Sequence, residues 1–339
     1  MARLTEKDFR LRYRLDIDSF YKLLGIIRGD IETKDKRKAK NAKWGRVIGA
    51  EEKLAMALRY MAGGSFLDIK LIYHVENSYI YDSVWSVVDA VNKHLKVEFP
   101  IDDVQKLQVL EAEFRAASRG GIWEGQVGAV DGVHFGMRAP SLKDVPDPMR
   151  YYVPRKAEYA LLCMAMCDAR RRITYYDIRQ APTTHDSLAW ACSKLGQQIA
   201  ARQLCAPFFV SGDSAFNLTN SMIVPSGDPE LDDFDFHQSS NRMPIECAFG
   251  VLVKRWGILW RKLQVRFDRR AALIGALIRL HNFCITHRVT EMTYKEKDGF
   301  SKILPNRWEK TPLFDKEGRP VHYLNIERGV CLRHAVICA

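Results

Sequence analysis

Val127-Gly128-Ala129-Val130-Asp131-Gly132-Val133-His134-Phe135 is an apolar run broken by one acid and the glycine behind it. Apolar residues on both sides of the acid predict an interior strand of a covered sheet, since a strand with one wet face would alternate. A carboxylate at the end of such a strand is costly unless it is paired or bound to a metal. The arrangement recurs at Phe208-Phe209-Val210-Ser211-Gly212-Asp213-Ser214-Ala215-Phe216. Two such acids in one sheet meet at the strand ends, where sites in α/β folds form. Glu246, within Asn241-Arg242-Met243-Pro244-Ile245-Glu246-Cys247-Ala248-Phe249-Gly250, supplies a third acid among apolar neighbours. Three converging carboxylates can hold two Mg²⁺ ions about 3.5–4 Å apart, the arrangement that activates water in phosphodiester cleavage. Taken singly, each acid has a plainer reading. Asp131 and Asp213 also suit turns in which a carboxylate accepts from the next backbone amides, and Glu246 suits a helix N-terminus.

Outward from these acids, Tyr159–Cys167 and Ile173–Ile178 predict further strands, Ser187–Ala201 a helix and Ala206–Ser211 a strand. Pro244–Leu263 predicts an amphipathic helix and Asp268–His287 a buried one. Pro244 argues against a regular helix before Glu246. The order is that of a mixed α/β domain. Upstream, Glu51–Met61 has helical spacing and stops at Gly63-Gly64, Ser65 can cap a second helix through Tyr73, and a third is expected from Ser78 to Leu95. That outline fits a DNA-binding helix-turn-helix unit with Ser78, Tyr79 and Tyr81 on the recognition helix, the alternative being a small bundle that only packs. The resulting organisation is an N-terminal helix and basic linker (1–46), the helix-turn-helix-like region (47–100), the α/β domain (121–290) and a C-terminal extension without clear period (291–339).

The chain has 339 residues, 47% hydrophobic and 27% charged, enough to bury a core without a disulfide or metal staple. This composition excludes general disorder, collagen and coiled coil. The longest apolar stretch, Ala271–Ile278, is too short to span a bilayer, and the first residues lack the apolar region of a secretory signal. Eight cysteines, six in hydrophobic surroundings and two (Cys331 and Cys338) near the end, without zinc-ligand spacing, are expected to be buried free thiols in a reducing compartment. Lys and Arg number 52 against 41 acids, a net charge of +11 that favours polyanionic partners. The run Lys34–Lys43 reads as a solvated linker or as a phosphate-contacting or nuclear-import segment.

Five blocks taken together carry a resemblance: Ala129-Val130-Asp131-Gly132-Val133-His134, Thr184-His185-Asp186-Ser187, Ser211-Gly212-Asp213-Ser214-Ala215-Phe216, Ile245-Glu246-Cys247-Ala248-Phe249-Gly250-Val251-Leu252-Val253-Lys254-Arg255-Trp256 and Leu280-His281-Asn282-Phe283-Cys284. In this order they resemble the DDE endonuclease domain of PIF/Harbinger transposases, over about residues 131–287. The resemblance implies an RNase H-like fold with catalytic Asp131, Asp213 and Glu246. It implies Mg²⁺ or Mn²⁺ as a pair of ions on those acids, with Asp186 as an auxiliary ligand or, alternatively, a helix cap. It further implies cleavage and strand transfer of double-stranded DNA at transposon ends, with water and then a DNA 3′-hydroxyl as nucleophiles. Nuclear localisation, a Myb-like accessory DNA-binding protein and self-association follow from the same resemblance. Related insertion-sequence enzymes carry Tyr-x2-Arg-x3-Glu-x6-Lys around the third acid. Here Arg242 and Glu246 fit, Ser239 replaces the tyrosine, and Lys254 falls one place late. Arg242, Lys254, Arg255, Arg261 and Lys262 are then the expected backbone contacts, and His134 and His185 are phosphate or metal contacts or, more often for such histidines, simple hydrogen-bond partners. A domesticated relative that binds DNA or protein without cutting is the main alternative, and another metal-dependent phosphoesterase on this fold a third.

Overall fold

The computed structural model describes residues 4–33, 47–202, 204–205 and 207–289. The basic run 34–43, the extension 291–339, and Cys331 and Cys338 lie outside the described residues.

The chain opens with helices α1 (Glu6–Tyr13), α2 (Ile17–Ile31), α3 (Ala50–Met61), α4 (Phe66–Tyr73), α5 (Asn77–His94) and α6 (Val104–Ala117). The caps are those the sequence offers. The Ser65 hydroxyl accepts from the Asp68 N–H at 3.0 Å, and Gly63, at φ +100°, makes the turn after α3. Then come β1 (Gln126–Met137), β2 (Tyr152–Val153), β3 (Glu158–Cys167), β4 (Ile173–Asp177), α7 (Asp186–Ala191), α8 (Lys194–Arg202), β5 (Phe209–Ser211), β6 (Met222–Ile223), α9 (Asp232–Arg255) and α10 (Phe267–Thr286).

β1 is central. It pairs antiparallel with β3 and parallel with β5, β6 continues parallel beyond β5, and β2 and β4 share the outer edge of β3. With the two-residue β2 set aside, this is the mixed sheet of an RNase H-like fold, as expected. One face of the sheet, with Ala129, Val133 and Phe135, packs on α9, α10 and the N-terminal helices. The other, with Val130, Leu162 and Met164, packs on α6, α7 and α8. Among the described residues no helix is long and apolar enough to cross a membrane.

Three expectations are corrected. α9 starts at Asp232 and runs through Pro244, so Glu246 lies mid-helix. Side chains take over part of the bonding a proline disrupts: the Asn241 carboxamide donates to the His237 carbonyl at 2.9 Å, and Gln126 donates to the Asn241 carbonyl at 2.9 Å. The helix expected over 187–201 is broken into α7 and α8. Of the cysteines, Cys163, Cys167 and Cys284 are buried free thiols, whereas Cys192 is half-buried and Cys205 exposed.

The helix-turn-helix outline is present in order, but α5 is an internal helix. Ile80, Val84, Val87, Val88 and Val91 are buried in the core shared with the sheet, and Tyr79 packs against it. Ser78 and Tyr81 are exposed, on a face that also presents Asp82 and Asp89, acids that would repel phosphate.

Candidate active site

β1 and β5 run parallel with Ala129 opposite Ser211, so Asp131 and Asp213, each two residues further on, end up side by side. Side chains alternate along a strand. Asp131 therefore shares the face of Ala129 and Val133, under α9, from which Arg242 and Glu246 project one turn apart. The Asp131 carboxylate accepts from the Gly132 N–H at 2.7 Å, and Asp213 accepts from the Ala215 N–H at 3.0 Å. The turn role open to Asp213 is thus realised, whereas Asp131 lies within β1 rather than at its end and accepts only from the adjoining amide.

The electrostatics tie the three acids together. Burial pushes the Asp131 carboxyl up to about 7, with Glu246 and Asp213 adding repulsion and Arg242 opposing it. Arg242 lies among all three. Burial pulls its pKa down, but Glu246, Asp131 and Asp213 outweigh that and leave it raised. Its Nη1 is 2.6 Å from Glu246 Oε1, an ion pair with 17% of each side chain exposed.

Asp186 is placed differently. Its Oδ1 would lie 2.7 Å from a Cβ on Gly132, and Gly132 faces the side of β1 opposite to Asp131. Burial raises its carboxyl, followed by the charge of Asp213; neither Asp131 nor Glu246 contributes. The capping alternative is not realised either: α7 begins at Asp186 itself, and His185 precedes it without a side-chain cap.

Two basic residues that sequence patterning does not point to stand at this edge. Arg155 and Lys156, on the turn between β2 and β3, lie beside His134, with Lys156 Nζ 3.5 Å from His134 Nδ1, and Arg155 lowers the Asp186 carboxyl. His134 Nε2 is 2.7 Å from the Pro182 carbonyl, and burial holds its pKa below the ordinary value; His185 Nδ1 is 2.9 Å from Ser187 Oγ. Both histidines are hydrogen-bond partners. Arg255, expected on the DNA side, is 5% exposed and donates to the carbonyls of Arg14 and Val289 at 3.3 and 3.4 Å. It is an internal brace, because α9 ends under the N-terminal helices. Lys254 is half-buried, and Arg261 and Lys262 are exposed.

Asp131, Asp213 and Glu246 offer hard oxygen donors of high charge density, which suit Mg²⁺ or Mn²⁺. The raised Asp131 carboxyl reflects its burial first, with the repulsion of Glu246 and Asp213 behind it. Among the described residues, however, no three His, Cys, Asp or Glu side chains are gathered closely enough to hold an ion, and Arg242 supplies the counter-charge. The acids fit a divalent cation in kind, and admitting one requires the Arg242–Glu246 pair to open.

Residues 130–282 match the family model described as DDE superfamily endonuclease. The putative nuclease HARBI1 of Bos taurus is 26% identical over 251 residues, 71% of this chain and 69% of its own, and that of Homo sapiens is 25% identical over the same spans. A solved piggyBac transposase synaptic complex with hairpin DNA aligns over 84% of this chain and 76% of its own, at TM-score 0.38 and 10% identity. The stretch from β1 into α10, which carries Asp131, Asp213 and Glu246, is thus similar to the DDE superfamily endonucleases.

Proposed function

We propose that this chain is a divalent-metal-dependent DNA endonuclease and strand transferase of the Harbinger transposase type, with Asp131, Asp213 and Glu246 as its catalytic acids. The observation that carries the reading is the placement of these three carboxylates around one buried guanidinium, Arg242, with burial first, then Glu246 and Asp213, raising the Asp131 carboxyl to about 7. A protein that only bound DNA would have no use for such an arrangement, and it is destabilising unless a cation compensates it.

Asp131, Asp213 and Glu246 would hold Mg²⁺ or Mn²⁺, which when bound lowers the pKa of water and neutralises charge at the phosphodiester. The chain's own residues do the rest. Backbone N–H groups of Gly132 and Ala215 fix the orientations of Asp131 and Asp213. Arg155 and Lys156 offer positive charge to the DNA backbone along the edge where the strands end. In the first reaction water attacks the scissile phosphorus and the strand leaves with a free 3′-hydroxyl. In strand transfer that hydroxyl attacks a phosphorus of target DNA and displaces its 3′ oxygen. A nuclear site of action and a Myb-like partner belong to the same proposal and rest on the family resemblance.

One observation favours the second reading, a domesticated binder: the Arg242–Glu246 pair already satisfies the third acid. Nicking of supercoiled plasmid with Mg²⁺ or Mn²⁺ separates the two. Wild type is expected to nick, Asp213→Ala and Glu246→Gln to lose on the order of a hundredfold or more, and Asp228→Asn, in an exposed capping turn, to match wild type. DNA binding without nicking in either metal decides for the binder, and full activity in Glu246→Gln removes that residue from the site.

A further inference from the structure

A cavity of about 450 Å³ opens next to the segments that bear Asp186 and Asp213, between α7, α8 and the segment after β5, on the sheet face opposite to α9. Its floor includes Trp190 and Phe216, and its rim carries Ser187, Asn217, Thr219 and Asn220. Both walls continue directly from acidic residues. Ser187 follows Asp186, and the Phe216 N–H donates to the Asp213 carbonyl at 3.1 Å. The Phe216 ring lies so close over Gly212 that a Cβ there would come within 2.8 Å of it, which locks the ring to the strand end that bears Asp213. Tyr175 braces Trp190 edge-on, with 6.3 Å between ring centroids. Asn217 and Asn220 are exposed, and among the described residues their carboxamides bond to nothing.

Aromatic side chains under a rim of uncommitted carboxamides match the chemistry of a nucleobase. A π-face stacks any base, and a carboxamide presents the paired donor and acceptor that read a base edge. A base still paired inside a duplex cannot reach such a pocket, whereas one extruded or already single-stranded can. The phosphate-directed acids and basic residues described above make no use of it. We propose that this cavity receives one unpaired nucleobase of the DNA strand next to the scissile phosphate. The proposal rests on the nuclease reading of the adjoining acids and adds to it a base-binding subsite.

The test uses the full chain in EDTA with a single-stranded oligothymidylate of about twelve nucleotides carrying one internal 2-aminopurine. Binding is expected to dim the 2-aminopurine through stacking. Trp190→Leu keeps apolar bulk but has no π-face, and is expected to abolish the dimming and weaken binding on the order of tenfold; Trp190→Phe keeps both. Combined Asn217→Ala and Asn220→Ala, at exposed positions, should weaken binding without changing the melting temperature, and carries the test alone if Trp190→Leu does not fold. A 2-aminopurine that stays bright in the bound oligonucleotide, or Leu and Ala variants that dim it as wild type does, overturns the proposal. Plasmid nicking in Mn²⁺ is read in parallel. Dimming without nicking removes the nuclease reading and leaves the base site, whereas nicking without dimming removes the base site alone.

Discussion

Arg242 decides what the acids do in this conformation. A buried ion pair adds little net stability, but deleting one partner strands the other, a loss of about 3–5 kcal/mol. Arg242→Gln should therefore lower the melting temperature of the metal-free protein, because Glu246, Asp131 and Asp213 lose their shared cation. Mn²⁺ is expected to raise the wild-type melting temperature, to raise that of Arg242→Gln by more, and to raise that of Asp131→Asn by less. Equal shifts in all three would place metal binding elsewhere. A second residue sets a pH dependence. His281 is buried on α10, with Nε2 2.8 Å from the Arg171 carbonyl, and burial, reinforced by Arg255 and Arg171, brings its pKa down to about 4. Between about 4 and the ordinary value of about 6.5, the unfolded chain holds a proton on this ring that the folded one refuses. The unfolded state binds more protons there, so this contribution is complete above pH 6.5 or so and is lost as pH falls toward 4, up to roughly 3 kcal/mol in all. His281→Gln keeps a donor for the Arg171 carbonyl and cannot titrate. Urea melts at neutral and mildly acidic pH should show wild type losing more stability than the variant, and parallel losses would refute the assignment.

At the scale of the element, periodicity recovers what is long or doubly buried and misses what is short or made by folding back. The strands around Asp131 and Ala165 and the helices α3, α4, α5 and α10 are legible within a residue or two, because their apolar spacing and caps are local signals. β2 and β6, two residues each, carry no period to read, and α6 escapes the pattern as well. Pro244 reads as a stop because a proline's cost is local, whereas the bonds around Asn241 that offset it come partly from Gln126, 115 positions away. The ion pair of Arg242 with Glu246 follows once the helix is known to be continuous, since residues four apart on a helix are neighbours. Arg155 and Lys156 offer no such clue, being brought to His134 and Asp186 by the return of β2 into β3. Their position yields an expected outcome for DNA. Arg155→Ala with Lys156→Ala should weaken duplex binding and reduce its salt slope by about one for each phosphate no longer neutralised. Tyr81→Ala, on a helix face with Asp82 and Asp89, should leave both nearly unchanged. The opposite ranking in a salt titration would restore α5 as the recognition helix.

Over the whole molecule, the boundary between a helical region (47–100) and an α/β domain (121–290) has no physical counterpart in the packing. Val84, Val88 and Val91 of α5 occupy the same core as Ile274, Leu277 and Ile278 of α10 and Ala129 and Val133 of β1. Polar bonds cross the same seam: Asn92 donates to the Ala272 carbonyl at 2.9 Å, Arg279 donates to the Leu95 carbonyl at 2.7 Å, and the Arg269 guanidinium stacks on Trp85, 4.4 Å from the ring centroid. Arg255, at the end of the helix that bears Glu246, is anchored to the carbonyl of Arg14. Removing the helices before α6 would bare the apolar faces of α9 and α10 and take from the buried guanidinium of Arg255 one of its two carbonyl partners, that of Arg14. A chain beginning at residue 121, lacking α6 as well, is thus expected to aggregate or to lose fixed tertiary packing. Residues 1–339 should unfold in one calorimetric transition, because no division of the core leaves two self-sufficient parts. A soluble 121–290 fragment with a sharp thermal transition of its own, or two separable transitions in the full chain, would contradict this. The three acids would then depend on the sheet alone, whereas the shared core makes the N-terminal helices part of the scaffold that holds Glu246 over Asp131.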